Sequence, residues 1–431
     1  MSILGLDVGT TTLSAVLLDE SSLRPLARRT LAHSAFLPGE PYEKIQDPER
    51  IAGLADRLIS EITSGWPPVS AIGLTGQMHG VLYTDREGRA VSPLYTWQDG
   101  RGNLPGPDGR RFADILSEKT GYPLSSGFGC VTHAHLLRAG GLSPDARQLC
   151  TIHAWLGMRL TGRKTPLLHA SDAASIGCFD LSEGCFDRRA LSSIGPEYFP
   201  ETTGRACLIG ETPSGAKVFT AVGDNQASFL GATAGVQDAV LVNIGTGSQV
   251  SMRVPGPVSC PGCEARPLDG GDFLLVGAPL CGGRAYAILE KFLRECVALA
   301  GFNTDSLYEK MNGLAQSAPA NPLTVNTAFC GTRADPDLRG SITGLTEDNF
   351  TPAHLIHGLL TGMADELHGY YLSMLKATGS PASRLIASGN AVRRNPALQR
   401  ILSDVFALPI TLPPFEEEAA LGAAYLAARL S

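Results

Sequence analysis

No dense run of lysine or arginine occurs anywhere in the 431 residues, and the formal net charge is -7. That distribution argues against a nucleic-acid or anionic-membrane surface and leaves small neutral or anionic ligands open. No uncharged stretch is long enough to span a bilayer, and the opening MSILGLDVGTTT lacks the basic flank and apolar core of a signal peptide. A cytoplasmic protein is expected. A disulfide framework is missing too, because the ten cysteines are scattered singly through apolar or Gly-rich contexts, apart from Cys260 and Cys263 in SCPGCEA. That pair has no second ligand pair at short range for zinc, and it lies in a Pro/Gly turn rather than at a strand-to-helix corner, so it reads as a turn with two incidental thiols. Glycine (49 residues) and proline (29) are plentiful yet show no period, which removes collagen-like and low-complexity architectures.

What is present is a chain 43% hydrophobic and 18% charged, long enough for two or three domains with buried cores. Strand-like runs such as SILGLDV, SAVLLD and VSAIGLTG alternate with helical segments such as DPERIAGLADRLISEI, the pattern of α/β layers. One weak internal repeat organises the chain: LGLDVGTTTLSAVLLD (4–19) is echoed by VLVNIGTGSQVSMRV (240–254). Each predicts a hairpin with a Gly/Thr turn, made of Gly9, Thr10, Thr11 and Thr12 in the first case and Gly245, Thr246, Gly247 and Ser248 in the second. Such turns offer backbone N–H groups and hydroxyls to an anion such as a phosphate. Two of them half a chain apart suggest duplicated domains facing each other across a cleft, with one phosphate chain between. The boundary is expected near 205–220, giving domains 1–216 and 217–431.

Polar residues gather at a few turns. GQMHG sets Gln77, Met78 and His79 between glycines, and TWQDGR brings Trp97, Gln98, Asp99 and Arg101 within five positions. In AVGDNQASFL, Asp224, Asn225 and Gln226 stand where a helix begins. Asp224 taken alone reads as a helix cap; with two phosphate turns in the same chain it reads as a carboxylate held ionised by the helix dipole to orient a hydroxyl. Asp7, ending a strand beside the first turn, suits magnesium through waters, or simply stabilises the turn. His79 is open to two readings, a ligand contact or an imidazole bonded to backbone. Trp97 reads as stacking on or walling the sugar site, Asp99 and Arg101 as a pair that holds their loop, and for this group site and scaffold both stay open. The pairs His133/His135 and His354/His357 read as ordinary helix or loop residues.

On GLDVGTTT, GQMHG, WQDGR, GDNQA and the C-terminal SGN and EEEAALGAAYLA, in that order, the chain resembles the FGGY carbohydrate kinases of the actin, hexokinase and heat-shock-ATPase superfamily. The resemblance runs over nearly the whole length. TWQDGR and the loop TRADPDLRGSITGL are most similar to the sedoheptulokinase branch, with the xylulokinases next. It implies an α/β fold of two actin-like (ribonuclease H-like) domains, each a mixed β-sheet flanked by helices, with a cleft between them. It implies ATP- and magnesium-dependent phosphorylation of a ketose hydroxyl, sedoheptulose first, then D-xylulose or another pentulose. By position it implies Asp224 as catalytic base and Asp7 as the carboxylate near Mg2+. Gln77, Met78, His79, Trp97, Asp99 and Asn225 fall on the sugar side. Gly9, Thr10, Thr11, Thr12, Gly245, Thr246, Gly247, Gly282, Gly283, Gly389 and Asn390 fall on the nucleotide side. The adenosine turn reads ASGNA where many relatives have a run of glycines, which leaves nucleotide preference open. A ketose and ATP are the expected partners, with a homodimer as an option and neither nucleic acid nor membrane. Two rivals remain at this point, a sugar-independent actin-like ATPase and a catalytically silent sugar sensor.

Overall fold

The computed structural model describes residues 1–431 apart from 318, 333, 334 and 336. Its chain folds into two compact units. The first contains Met1–Gly235, Pro267–Asp272 and Glu417–Ser431, and the second Val236–Arg266 and Phe273–Glu416. These units do not follow the division at 216/217 drawn from the sequence. Residues beyond 216 supply two further strands of the first sheet and the helix that starts at Asp224, and the last fifteen residues return to the same unit.

In the first unit, strands β1 (Ser2–Val8), β2 (Thr12–Asp19), β3 (Pro25–Ala32), β4 (Val69–Gly76), β5 (Leu208–Glu211), β6 (Lys217–Phe219) and β7 (Val222–Gly223) form one mixed sheet. Its order is β5-β6-β4-β1-β2-β3, with β7 also on β4. β1 is antiparallel to β2 and parallel to β4, and both β6 and β7 run parallel to β4. SILGLDV and VSAIGLTG read as near-continuous apolar runs because central strands of such a sheet are covered on both faces.

Helix α1 (Pro48–Thr63) starts where Asp47 accepts from the N–H groups of Glu49 and Arg50, with Pro48 in the first turn. It buries Ile51, Ala52, Ala55, Leu58 and Ile62, one stripe at helical spacing. Three more helices bear on the site: α2 (Ile152–Thr161), α3 (Ala170–Ile176) and α4 (Asp224–Thr233). The C-terminal helix Glu418–Leu430 is built of small residues so that it can lie close on its neighbours. A Cβ at Gly5 or Gly73 would collide with its backbone at Ala420 or Ala423, and one at Gly422 would collide with Ala227 of α4.

The second unit repeats the plan. Its strands β8 (Ala239–Ile244), β9 (Ser248–Val254), β10 (Glu264–Pro267, the last residue in the first unit), β11 (Phe273–Gly277), β12 (Arg384–Ser388) and β13 (Ile410–Thr411) run in the order β10-β11-β9-β8-β12-β13. The hairpin β8–β9 corresponds to β1–β2, and β12 lies parallel to β8 as β4 does to β1. Helices α5 (Arg284–Leu299) and α6 (Pro352–Thr378) accompany this sheet. All ten cysteines are free thiols, and Cys260 and Cys263 close a tight turn through the Cys263 N–H to Cys260 carbonyl bond of 3.0 Å. Among the described residues, no helix is long and apolar enough to cross a membrane.

Candidate active site

Strands β1, β4 and β7 run parallel, and the register aligns Asp7 with Thr75 and Thr75 with Val222. Asp7 and Asp224 therefore leave the same edge of one sheet, the edge of carboxyl strand ends where open α/β sheets place their ligands. Gly223 is the cap of α4, and Asp224 is its first helical residue, so the carboxylate occupies the dipole's positive end without being the cap. Asp224 and Asn225 are both half-buried.

The Asp7 carboxyl is pushed up to about 7, first by burial and then by the charge of Asp224, with His153 working in the opposite direction. Its Oδ1 is buried without a partner in the protein. An orphaned carboxylate oxygen beside a second carboxylate suits a hard divalent cation, so Asp7 fits magnesium. Among the described residues, no three His, Cys, Asp or Glu side chains gather to hold a metal ion. The rest of a cation's coordination would fall to water and phosphate oxygens.

The loop after β4 is tied to the first Gly/Thr turn by a closed polar network. The Gln77 N–H donates to the Val8 carbonyl at 3.0 Å, and Thr10 Oγ1 donates to Gln77 Oε1 at 3.3 Å. Gln77 Nε2 donates to Gln46 Oε1 at 3.0 Å, and Gln46 Nε2 closes the ring on the Thr10 carbonyl at 2.7 Å. Trp97 Nε1 donates to Thr10 Oγ1 at 3.0 Å while the indole stays 48% exposed. The hydroxyl of Thr10, read from the sequence as a phosphate ligand, is thus committed to side chains of the sugar-side loops; Thr11 and Thr12 are exposed. Gln77 is likewise a buried member of the network.

His79 has φ 68°, the left-handed region that a non-glycine residue adopts only under constraint. The constraint is Ser175, whose Oγ accepts the His79 N–H at 3.0 Å and whose carbonyl lies 2.6 Å from Nδ1. A carbonyl only accepts, so Nδ1 carries a proton, and when the ring is neutral Nε2 is its acceptor nitrogen. Phe128 stacks on the imidazole at 4.7 Å. Met78 is buried, and its sulfur packs against Gly223, where a Cβ would come within 2.7 Å of Sδ.

Asp99 had two readings in the sequence, site group or loop clamp. It is 1% exposed, Oδ1 accepts from Arg101 Nε at 2.6 Å and from the Arg101 N–H, and Oδ2 accepts from Arg101 Nη2 and the Lys44 N–H. Of the two readings open in the sequence, the geometry favours the clamp that holds the loop, because both oxygens are spent inside the protein.

In the second unit the glycines assigned to the nucleotide converge. A Cβ at Gly283 would collide with the Gly245 carbonyl, one at Gly282 with the Ser248 N–H, and one at Gly389 with the Ile244 carbonyl. Arg284 N–H donates to the Thr246 carbonyl at 2.9 Å, and Asn243 Nδ2 donates to Ser388 Oγ at 2.7 Å. The turn 245–248, the 282–283 pair and the 389–390 turn are therefore in contact at one end of the second sheet, with Thr246, Gly247 and Asn390 exposed. Part of the loop TRADPDLRGSITGL, residues 333, 334 and 336, lies outside the described residues.

Sequence reasoning missed Gln46, Phe128, His153, His169, Ser171, Asp172, Ser175 and Asp269, all of which hold the site from behind. HASDAAS (169–175) carries four of them: His169 caps a short helix that bears Ser171, Asp172 and Ser175 and lies against β7 and Gly223.

The profile of the N-terminal domain of the FGGY family of carbohydrate kinases matches residues 2–241, and that of the C-terminal domain matches residues 240–431. Human sedoheptulokinase is 30% identical, the alignment covering 99% of this chain and 97% of that protein. A glycerol kinase from Trichlorobacter lovleyi is 28% identical over 99% of this chain and 89% of its own. The solved xylulose kinase from Rhodospirillum rubrum superposes with TM-score 0.82 at 23% identity, over 99% of this chain and 89% of its own. A gluconate kinase from Lactobacillus acidophilus gives TM-score 0.82 at 22% identity, over 99% and 88%. Two domain profiles spanning the chain end to end, on two sheets of matching topology, show that the chain belongs to the FGGY family of carbohydrate kinases.

Proposed function

We propose that this protein is a cytoplasmic ATP-dependent ketose kinase whose first substrate is sedoheptulose, phosphorylated at its terminal hydroxyl. The observation that carries the reading is the pair of carboxylates, Asp7 and Asp224, at one strand-end edge, with an orphaned buried oxygen on Asp7. Asp224 is the base. Its place at the start of α4 keeps the carboxylate ionised and fixed, so that it accepts the proton of the attacking hydroxyl late in a loose transition state, where position matters more than basicity. Asn225 donates to one sugar hydroxyl and accepts from another. His79 offers an acceptor nitrogen, and the exposed Trp97 indole walls the sugar and sheds water from it. Magnesium held through water by Asp7 would neutralise charge on the phosphates. The turns at 9–12 and 245–248, with Gly282, Gly283, Gly389 and Asn390, allow phosphates and the adenosine to approach backbone closely.

The identity with human sedoheptulokinase over nearly the full length of both chains supports sedoheptulose ahead of D-xylulose. The test is ADP release by the purified protein with ATP and magnesium, against sedoheptulose, D-xylulose, D-ribulose, L-ribulose, glycerol and a blank. Turnover confined to sedoheptulose supports the proposal, turnover with another sugar reassigns the substrate, and release equal in every tube makes the protein a sugar-independent ATPase.

A further inference from the structure

The base Asp224, the magnesium-side Asp7 and the sugar-contacting His79 all trace back to one seven-residue segment, HASDAAS (169–175), none of whose own residues is assigned to sugar, nucleotide or metal. Its first arm runs to the base. His169 caps α3, its Nδ1 accepting the Ser171 N–H at 3.2 Å. A ring nitrogen that accepts from an amide carries no proton, so the Ser171 hydroxyl, 2.9 Å away, donates to it. The Ser171 oxygen is then free to accept the Gly223 N–H at 3.0 Å, at the residue that caps the helix of Asp224. On the far side of the ring, Nε2 faces Asp269 Oδ1 at 3.5 Å, and Asp269 also accepts the Ala206 N–H at 2.8 Å. His169 and Ser171 are at most 1% exposed. A second tie reaches the same helix from the same 267–272 segment, as Gln226 Nε2 donates to the Pro267 carbonyl at 3.0 Å.

The second arm runs to Asp7. Asp172 Oδ2 holds His153 Nε2 at 2.9 Å, and both side chains are fully buried. His153 Nδ1 lies against Gly76, where a Cβ would come within 2.8 Å of it, and it has no partner in the protein. Gly76 is the register partner of Val8, one residue beyond Asp7. The third arm runs to His79: Ser175 Oγ, itself donating to the Asp172 carbonyl at 2.7 Å, accepts the His79 N–H and fixes the left-handed turn of that residue.

We propose that residues 169–175 are a positioning element, in which Ser171, oriented by His169, sets the corner of the base, and Ser175 sets the sugar-contacting His79. The inference rests on the reading of Asp224 as base and His79 as sugar contact. Because the two serines sit four residues apart on one short helix and serve different groups, they should affect different kinetic parameters, which a general loss of structure would not do.

The test is steady-state kinetics on the ketose that gives turnover, with saturating ATP and magnesium. Ser171→Ala should lower kcat about 10–100-fold with sugar KM within about twofold, since only the placement of the base changes. Ser175→Ala should raise sugar KM about tenfold with a smaller change in kcat. His169→Asn, whose carbonyl oxygen can stand where Nδ1 accepts, should keep most of the kcat that His169→Gln loses. If either serine variant fails to fold, this Asn/Gln pair decides. Equal losses in His169→Asn and His169→Gln, or unchanged kinetics in both serine variants, overturn the proposal, as does a parallel fall in kcat and rise in KM in both. Asp224→Asn is measured alongside. If it retains turnover, the base reading falls and the positioning role with it; if it is inactive while Ser171→Ala is unchanged, only the positioning role falls.

Discussion

Asp224 enters a helix directly from a two-residue strand, with Met78 packed against the preceding glycine and Ser171 holding that glycine's N–H. Such a carboxylate has little freedom to move, and the proposed chemistry needs little more than its position. Asp224→Asn keeps the shape and removes the proton acceptor. It should lower kcat by about 10²–10⁴-fold, while sugar affinity measured by calorimetry stays within a few-fold. A near-normal kcat would dismiss Asp224 as base. Asp99 makes the opposite expectation. Its removal in Asp99→Ala leaves a 3% exposed Arg101 to Glu43 at 3.5 Å and the face of Tyr95 at 4.6 Å among the described residues. A cost of about 3 kcal/mol in unfolding free energy is expected, read by urea denaturation; a variant of normal stability with a raised sugar KM would return Asp99 to the site. The residues standing behind these two mark how far the sequence could be read. The strand-end placement of Gln77, His79 and Asp224 was legible because each follows an apolar run that closes on a glycine. Depth was not legible: Asp99 and Trp97 are two positions apart, yet one is buried in an ion pair and the other is 48% exposed.

At the level of elements, the hairpin repeat was visible because strand periodicity and a Gly/Thr turn are both local signals. HASDAAS was not, because a seven-residue helix has too few turns to show an apolar stripe and its His, Ser and Asp resemble surface-turn chemistry. His133, on the helix Gly129–Ala139, shows the same limit in a form that can be measured. Its ring is fully buried, with the Tyr83 hydroxyl 2.7 Å from Nδ1 and the Ile194 carbonyl 2.6 Å from Nε2. The neutral ring satisfies both, donating from Nε2 and accepting at Nδ1. Burial pushes its pKa down to about 4, with the Ile194 carbonyl and Glu197 resisting, and the rings of Tyr198 and Phe199 pack against it. The folded value lies below the unfolded one, so the contribution is constant above pH 6.5. As pH falls from 6.5 toward 4, the unfolded chain binds a proton that the folded chain refuses, and stability falls. The loss from this group should reach about 3 kcal/mol near pH 4. His133→Gln, which titrates in neither state, should show a correspondingly smaller drop in urea-unfolding free energy between pH 7 and pH 4.5. An identical drop in both proteins would assign the pH dependence to other groups.

At the level of the molecule, the order of the chain and the order of the units disagree, and that disagreement has a physical consequence. The chain crosses between the units after residues 235, 266, 272 and 416. The first unit is therefore incomplete until the end of the sequence is in place. Gly5 of β1 and Gly73 of β4 are glycines because the C-terminal helix lies directly on them, and Gly231 of α4 meets the same helix at Glu418. Ala227 and Val222 also pack with Leu426 in one small apolar cluster. Without residues 417–431, the buried face of β1 and β4 would open to water at about 25 cal/mol for each Å² of apolar surface exposed. Without 267–272, His169 and Gln226 would lose Asp269 and the Pro267 carbonyl. A fragment ending at Gly235, although it contains every strand of the first sheet and Asp7, His79 and Asp224, should thus fail to form a cooperatively folded unit. Broad thermal unfolding and rapid amide exchange in β1 and β4 are the expected readings. Adding a peptide of residues 417–431 in excess should slow exchange in those two strands first. Cooperative unfolding and native-like protection in the fragment alone would show that the first unit completes its core without the end of the chain, and that the return of the last helix serves something other than folding.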